Sequence, residues 1–175
     1  MTVSTPTSSP KTISLIGMPG AGKSTVGVIL AKRTGLRFVD TDLEIQCREG
    51  ATLQQILEAQ DYLYLRRVEE EVLLGLELAE AIISTGGSVV YSDEVMQRLG
   101  SAGPVVYLDT DFDTLSQRVA MAPDRGIASS SGESFKDIYA ERTPLYARYA
   151  SQRIDTAGGN ADEVCARIIA ELAIG

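Results

Sequence analysis

Eight consecutive residues, Gly17-Met18-Pro19-Gly20-Ala21-Gly22-Lys23-Ser24, match the spacing G-x-x-x-x-G-K-[ST]. Glycines at these points let successive backbone N–H groups turn inward around phosphate oxygens, where side chains would collide. A helix opening near Lys23 adds the positive end of its dipole. Lys23 is then placed to reach the outer phosphates, and Ser24 to offer its hydroxyl to Mg²⁺. With Gly20, Ala21, Gly22 and Thr25 completing the cradle, ATP and Mg²⁺ are the expected phosphate donor and ion.

Downstream, Asp40-Thr41-Asp42 closes one short apolar run and Ser84-Thr85-Gly86-Gly87 closes another. Both belong at the edge where open α/β sheets place their ligands. One carboxylate suits the water shell of a metal and the other an acceptor hydroxyl. Asp42 equally suits the cap of a following helix. Histidine is absent from the chain, which removes Ser-His-Asp hydrolysis, imidazole acid–base chemistry and most zinc sites. Carboxylates, lysine, arginine, backbone amides and a metal ion must do the work.

The elements needed to position these groups follow from the apolar pattern. Runs at 12–16, 36–39, 81–85, 104–108 and 153–156 read as strands, alternating with helical stretches at 23–33, 42–49, 61–80, 111–121, 135–149 and 161–172. Shorter helices are expected after Thr52 and after Ser92. Strand–helix alternation predicts an α/β fold, three layers with a central parallel sheet of about five strands. Residues 122–134, with Gly126, Gly132 and Ser129-Ser130-Ser131, read as a mobile lid. Residues 1–10 read as a disordered lead-in without the apolar stretch of a secretory signal, and 11–175 as a single domain.

Composition agrees: of 175 residues, 44% are hydrophobic and 23% charged, ordinary for a soluble enzyme. A net charge of −8 argues against nucleic acid or an acidic membrane as partner, so positive charge must be concentrated locally. There is no long apolar run to cross a membrane. Cys47 and Cys165 read as free thiols packed in or near a reduced core, and the protein as cytoplasmic.

From about Ile13 onward the chain resembles the shikimate kinases. GMPGAGKST, FVDTD, LRRVEEEV, STGGS, VVYLD, the DRG loop and ERTPLY carry the resemblance in that order. It implies a nucleoside-monophosphate-kinase-like fold and a monomer that moves the γ-phosphate of ATP to a hydroxyl of shikimate, in aromatic amino acid biosynthesis. Asp40 would bind Mg²⁺ through water, with Ser24 as a direct ligand. Asp42 would hold the acceptor hydroxyl, and Arg66 and Arg142 its carboxylate, with Gly86 and Gly87 against the ring. Arg125 would close over the transferring phosphate, and Arg118, Asn160 and Ala161 would flank the adenine. Paired guanidinium forks suit a planar carboxylate. The pattern departs from the family at Ser88, where a third glycine is usual, and at Arg125-Gly126-Ile127, where the lid usually reads Arg-Pro-Leu. Those departures leave another small hydroxy acid or sugar acid, such as gluconate, as an alternative acceptor. A nucleotide-binding protein without catalysis is a weaker alternative, because Lys23, Ser24, Asp40, Asp42 and Arg125 are all present.

Overall fold

The computed structural model describes residues 12–121, 126–130 and 132–174. Five strands, β1 (Thr12–Ile16), β2 (Arg37–Asp40), β3 (Ala81–Ser84), β4 (Val105–Asp109) and β5 (Gln152–Asp155), form one parallel sheet in the order β2-β3-β1-β4-β5. The helices are α1 (Lys23–Thr34), α2 (Thr41–Glu49), α3 (Leu53–Ala59), α4 (Tyr62–Gly75), α5 (Asp93–Ala102), α6 (Phe112–Ala120), α7 (Phe135–Tyr149) and α8 (Ala161–Glu171). A 3₁₀ turn, Val89–Tyr91, precedes α5.

The chain leaves β1 toward one edge for β2 and β3, then crosses to the other side for β4 and β5. The C-terminal end of β1 therefore lies where the strand order reverses, the place at which doubly wound sheets open a crevice. β1 and β3 are buried along their whole length, as expected of strands covered on both faces. Gly27 lets α1 lie close to the sheet, since a Cβ there would come 2.6 Å from the Phe38 ring. The main core joins Leu15, Leu30, Leu73, Ile82, Val106 and Ile168. A second cluster, including Ile45, Ile56, Leu65 and Val68, packs α2, α3 and α4 together beside the crevice.

Two boundaries differ from expectation for identifiable reasons. The helix expected to reach residue 80 stops at Gly75. Beyond this poor helix former, the Leu76 carbonyl accepts from Arg98 and the Glu77 carbonyl from Arg37 Nη2 at 2.6 Å, and Glu80 turns the chain with φ 52°. Asp42 is not a cap: α2 begins at Thr41, and Asp40 caps it by accepting from the Asp42 N–H at 3.0 Å. Both cysteines are free, but only Cys165 is buried, whereas Cys47 is exposed.

Candidate active site

The phosphate loop joins β1 to α1. Gly20 and Gly22, at φ 89° and 91°, hold left-handed conformations that residues with side chains rarely adopt. Among the described residues no side chain caps α1, and uncapped N–H groups at a helix start suit an anion. The Lys23 ammonium is folded over the loop, donating to the Gly17 and Met18 carbonyls at 2.7 and 3.0 Å. On the outer side, Arg118 Nη1 of α6 donates to the Gly20 carbonyl at 3.0 Å. Arg118, Thr25 and Ala161 line a cleft of about 730 Å³ that runs from the loop to the start of α8, with Thr156 contributed by the end of β5.

The edge of β2 and β3 brings the oxygen ligands together. Asp40 pairs in register with Ser84, and Ser84 Oγ is 3.3 Å from Ser24 Oγ. One carboxylate beside two hydroxyls is a hard-oxygen set that suits Mg²⁺ retaining most of its waters. Among the described residues there is no larger carboxylate or thiolate cage for a metal. The strand ends are tied across: the Gly86 N–H donates to Thr41 Oγ1 at 3.0 Å, and Thr85 Oγ1 donates to the Leu15 carbonyl at 2.9 Å.

A second cleft opens beside the loop and is lined by Lys23, Ser24, Asp42, Glu69, Gly87 and Arg142, among others. Gly86 and Gly87 form its floor because no side chain fits there. A Cβ on Gly86 would fall 2.2 Å from Glu69 Oε1, and one on Gly87 2.9 Å from the Pro19 ring. Tyr146 of α7, fully buried, fixes the floor by donating its hydroxyl to the Gly87 carbonyl.

Arg142 lines this cleft, Arg66 lines a neighbouring one with Tyr91, Glu69 and Ser88, and the two side chains converge from different helices. Arg66 Nη2 donates to the Ala128 carbonyl at 3.4 Å, and Arg142 Nη2 donates to the same oxygen. Tyr91, supplied by the 3₁₀ turn, holds both. Its ring lies 3.8 Å from the Arg66 guanidinium carbon and 5.4 Å from that of Arg142, and its hydroxyl accepts from Arg142 Nε at 3.3 Å. Arg142 is only 1% exposed. A buried guanidinium needs partners of this kind. Two cations aimed at one oxygen make an arrangement that suits an oxyanion.

Two further residues of the site were not singled out by sequence. Glu69, 4% exposed, accepts a hydrogen bond from the Ser88 hydroxyl on Oε2, while its Oε1 is buried without a hydrogen-bond partner among the described residues. Burial, with the Asp42 carboxylate adding to it, pushes Glu69 from its ordinary 4.5 to about 7 against the pull of Ser88, Arg142 and Lys23. Its position one helical turn after Arg66 was the available signal, because residues at that spacing share a helix face. Tyr91 lay in a turn too short to show periodicity. Of the expected nucleotide contacts, Asn160 has its side chain committed elsewhere: it caps α8 by accepting from the Glu163 N–H at 3.0 Å. Arg125 lies outside the described residues.

Comparison with known proteins matches residues 19–173 to the shikimate kinase family model. A shikimate kinase of Mycobacterium avium is 37% identical, over 93% of this chain and 93% of its own length. That of Persephonella marina is 32% identical, over 93% of this chain and 99% of its own. Among solved structures, a shikimate kinase from Acinetobacter baumannii in complex with shikimate superposes with a TM-score of 0.86 at 31% identity, covering 93% of each chain.

Proposed function

The chain belongs to the shikimate kinase family, and from that premise we propose how its own residues carry a phosphoryl group from ATP to shikimate. It is a phosphotransferase acting on an alcohol group, and ATP is its phosphate donor. The observation that carries the reading of the acceptor site is the meeting of Arg66 and Arg142 on the carbonyl oxygen of Ala128, a residue that lines, with Arg142, the cleft of Lys23 and Asp42.

The backbone N–H groups of residues 20–25 and the positive end of α1 bind the outer phosphates of ATP. Lys23 exchanges the Gly17 and Met18 carbonyls for phosphate oxygens. Ser24 and Asp40 would hold Mg²⁺, which would neutralise phosphate charge when bound. Arg118 and Ala161 border the adenine. Arg66 and Arg142 exchange the Ala128 carbonyl for the carboxylate of shikimate, whose ring lies over Gly86 and Gly87. Asp42 accepts a hydrogen bond from the attacking hydroxyl and keeps its oxygen directed at the γ-phosphorus. A new P–O bond forms to that oxygen as the bond to the β-phosphate bridge breaks, ADP leaves, and the hydroxyl proton passes to Asp42 or to water. Following the resemblance, Arg125 is assigned to the transferring phosphoryl group, where cationic stabilisation matters most. We take the active form to be a monomer.

Shikimate-dependent ADP release, followed with a coupled assay, tests the function. A folded sample that releases ADP no faster with shikimate than without it would defeat the reading.

A further inference from the structure

Arg66 stands in a wall between two spaces. On one side it reaches the Ala128 carbonyl, and on the other it lines a separate cavity of about 330 Å³ between α4, the 3₁₀ turn and the start of α5. That volume falls within the range of small-molecule sites, roughly 300–1,000 Å³. Glu69 and Ser88, joined by their hydrogen bond, form the partition, since both border the cavity and the cleft of Lys23 and Asp42. Arg67 and Glu70 line only the cavity, and Arg142 only the cleft. The cavity is divided by chemistry. Leu73, Val89 and Val95 give it buried apolar surface, Tyr91 an aromatic ring, and Leu63 an apolar rim that is 47% exposed. Arg66 and Arg67 supply cations and Glu70 a carboxylate, four and three residues apart on α4, a spacing that makes side chains neighbours on a helix surface. Yet among the described residues these groups form no ion pair, with one another or with any other charge. The rings of Tyr62 and Tyr91 lie against Arg66, that of Tyr64 against Arg67, and Glu70 Oε1 accepts from Ser92 Oγ at 2.5 Å.

We propose that this cavity binds an α-amino acid with a large apolar side chain. The ligand's carboxylate meets Arg66 and Arg67, its ammonium meets Glu70, and its side chain covers Leu73, Val89 and Val95 beside Tyr91. An α-amino acid carries both charges on one carbon, which fits a cation and an anion held on adjacent turns of one helix. Guanidinium forks bind a carboxylate through parallel N–H bonds. An apolar acid lacking the ammonium would bring its carboxylate beside Glu70 unopposed, and an apolar amine would meet the arginines, each a juxtaposition of like charges. Arg66 is common to the cavity and the clamp, so an occupant that draws its guanidinium inward weakens its reach toward Ala128. On the acceptor reading above, on which this one consequence rests, the amino acid and shikimate oppose each other's binding by the same factor in either direction.

Calorimetric titration of the full-length protein tests the site, with phenylalanine as the probe. Beside it stand phenylpropionate, which lacks the ammonium, phenethylamine, which lacks the carboxylate, and glycine, which lacks the apolar body. Phenylalanine should bind saturably, and each of the others at least about fivefold more weakly, as loss of a charge-assisted contact or of a buried ring implies. Arg67→Gln should weaken phenylalanine about five- to tenfold, whereas Arg142→Lys, a change in the neighbouring cleft, should leave its binding unaltered. In turnover assays phenylalanine should raise KM for shikimate about severalfold and leave KM for ATP close to its original value. Absence of saturable binding, a truncated compound that binds as tightly, or no effect of Arg67→Gln overturns the proposal. So does an Arg142→Lys effect equal to that of Arg67→Gln, which would put the ligand in the cleft of Lys23 and Asp42. An unchanged KM for shikimate with phenylalanine bound overturns the coupling through Arg66. If Arg67→Gln does not fold, Glu70→Gln is read by the same criteria. Phenylalanine binding that meets them in a protein without shikimate-dependent turnover upholds the site and defeats the acceptor reading instead.

Discussion

At the scale of single residues, the proposed site places cations where anions would arrive. Lys23→Ala should lower kcat on the order of 10²- to 10³-fold, as loss of one donor to developing charge does, with ADP release as the measure. Arg142→Lys keeps the charge but loses the planar fork that reaches the Ala128 oxygen and the Tyr91 hydroxyl together. KM for shikimate should rise at least about tenfold, because charge-assisted hydrogen bonds are stronger than neutral ones, while KM for ATP stays close to its original value. Glu69 gives a prediction about pH. Its proton is held more tightly in the folded chain, at about 7 against an ordinary 4.5, so folding takes up a proton in that window. Stability therefore declines as pH rises from about 4.5 to about 7 and levels off above. Glu69→Gln should abolish this slope and, at pH 8, be more stable than the unsubstituted protein by up to about 3 kcal/mol, a difference that urea unfolding at pH 5 and pH 8 would reveal.

At the scale of elements, most of the positioning was legible from local chemistry. The phosphate loop is contiguous, so its glycines, Lys23 and Ser24 were readable together. α7 could be read end to end, Ser134 capping it and Ala150 following Tyr149. What could not be read depends on contacts between distant segments. The end of α4 is set by guanidinium groups from Arg98 and Arg37, the Ser88–Glu69 bond joins a turn to a helix, and Tyr91 becomes part of the site only once the turn before α5 is folded against α7. Asn160, expected beside the adenine, has a different task for its side chain in the structure. It stands beside the Arg118 and Ala161 cleft, but its side chain completes a reciprocal cap with Glu163. Asn160→Ala should accordingly cost about 1 kcal/mol of stability and leave KM for ATP nearly unchanged. A large rise in that KM would show that the side chain leaves the cap to reach the nucleotide.

At the scale of the whole molecule, the sheet brings two clefts to its C-terminal edge, one on each side of the phosphate loop, and the segment around residues 126–128 closes over one of them. Gly126 lies against α3, where a Cβ would come 2.8 Å from the Leu53 carbonyl carbon, and Ala128 is 5% exposed. Gly126→Ala should push this segment off α3 and lower KM for shikimate by roughly a few-fold, opposite in sign to Arg142→Lys. Cleavage by a protease between residues 126 and 130 should become faster in that variant. The reason lies in the Ala128 carbonyl on the two guanidinium groups. That oxygen is a rival joined covalently to the receptor, so its local concentration is the same in a dilute tube and a crowded cell. On the acceptor reading proposed above, an acid that docks evicts a piece of the protein's own backbone, and the strength of that inner rival would set the concentration at which the enzyme begins to respond.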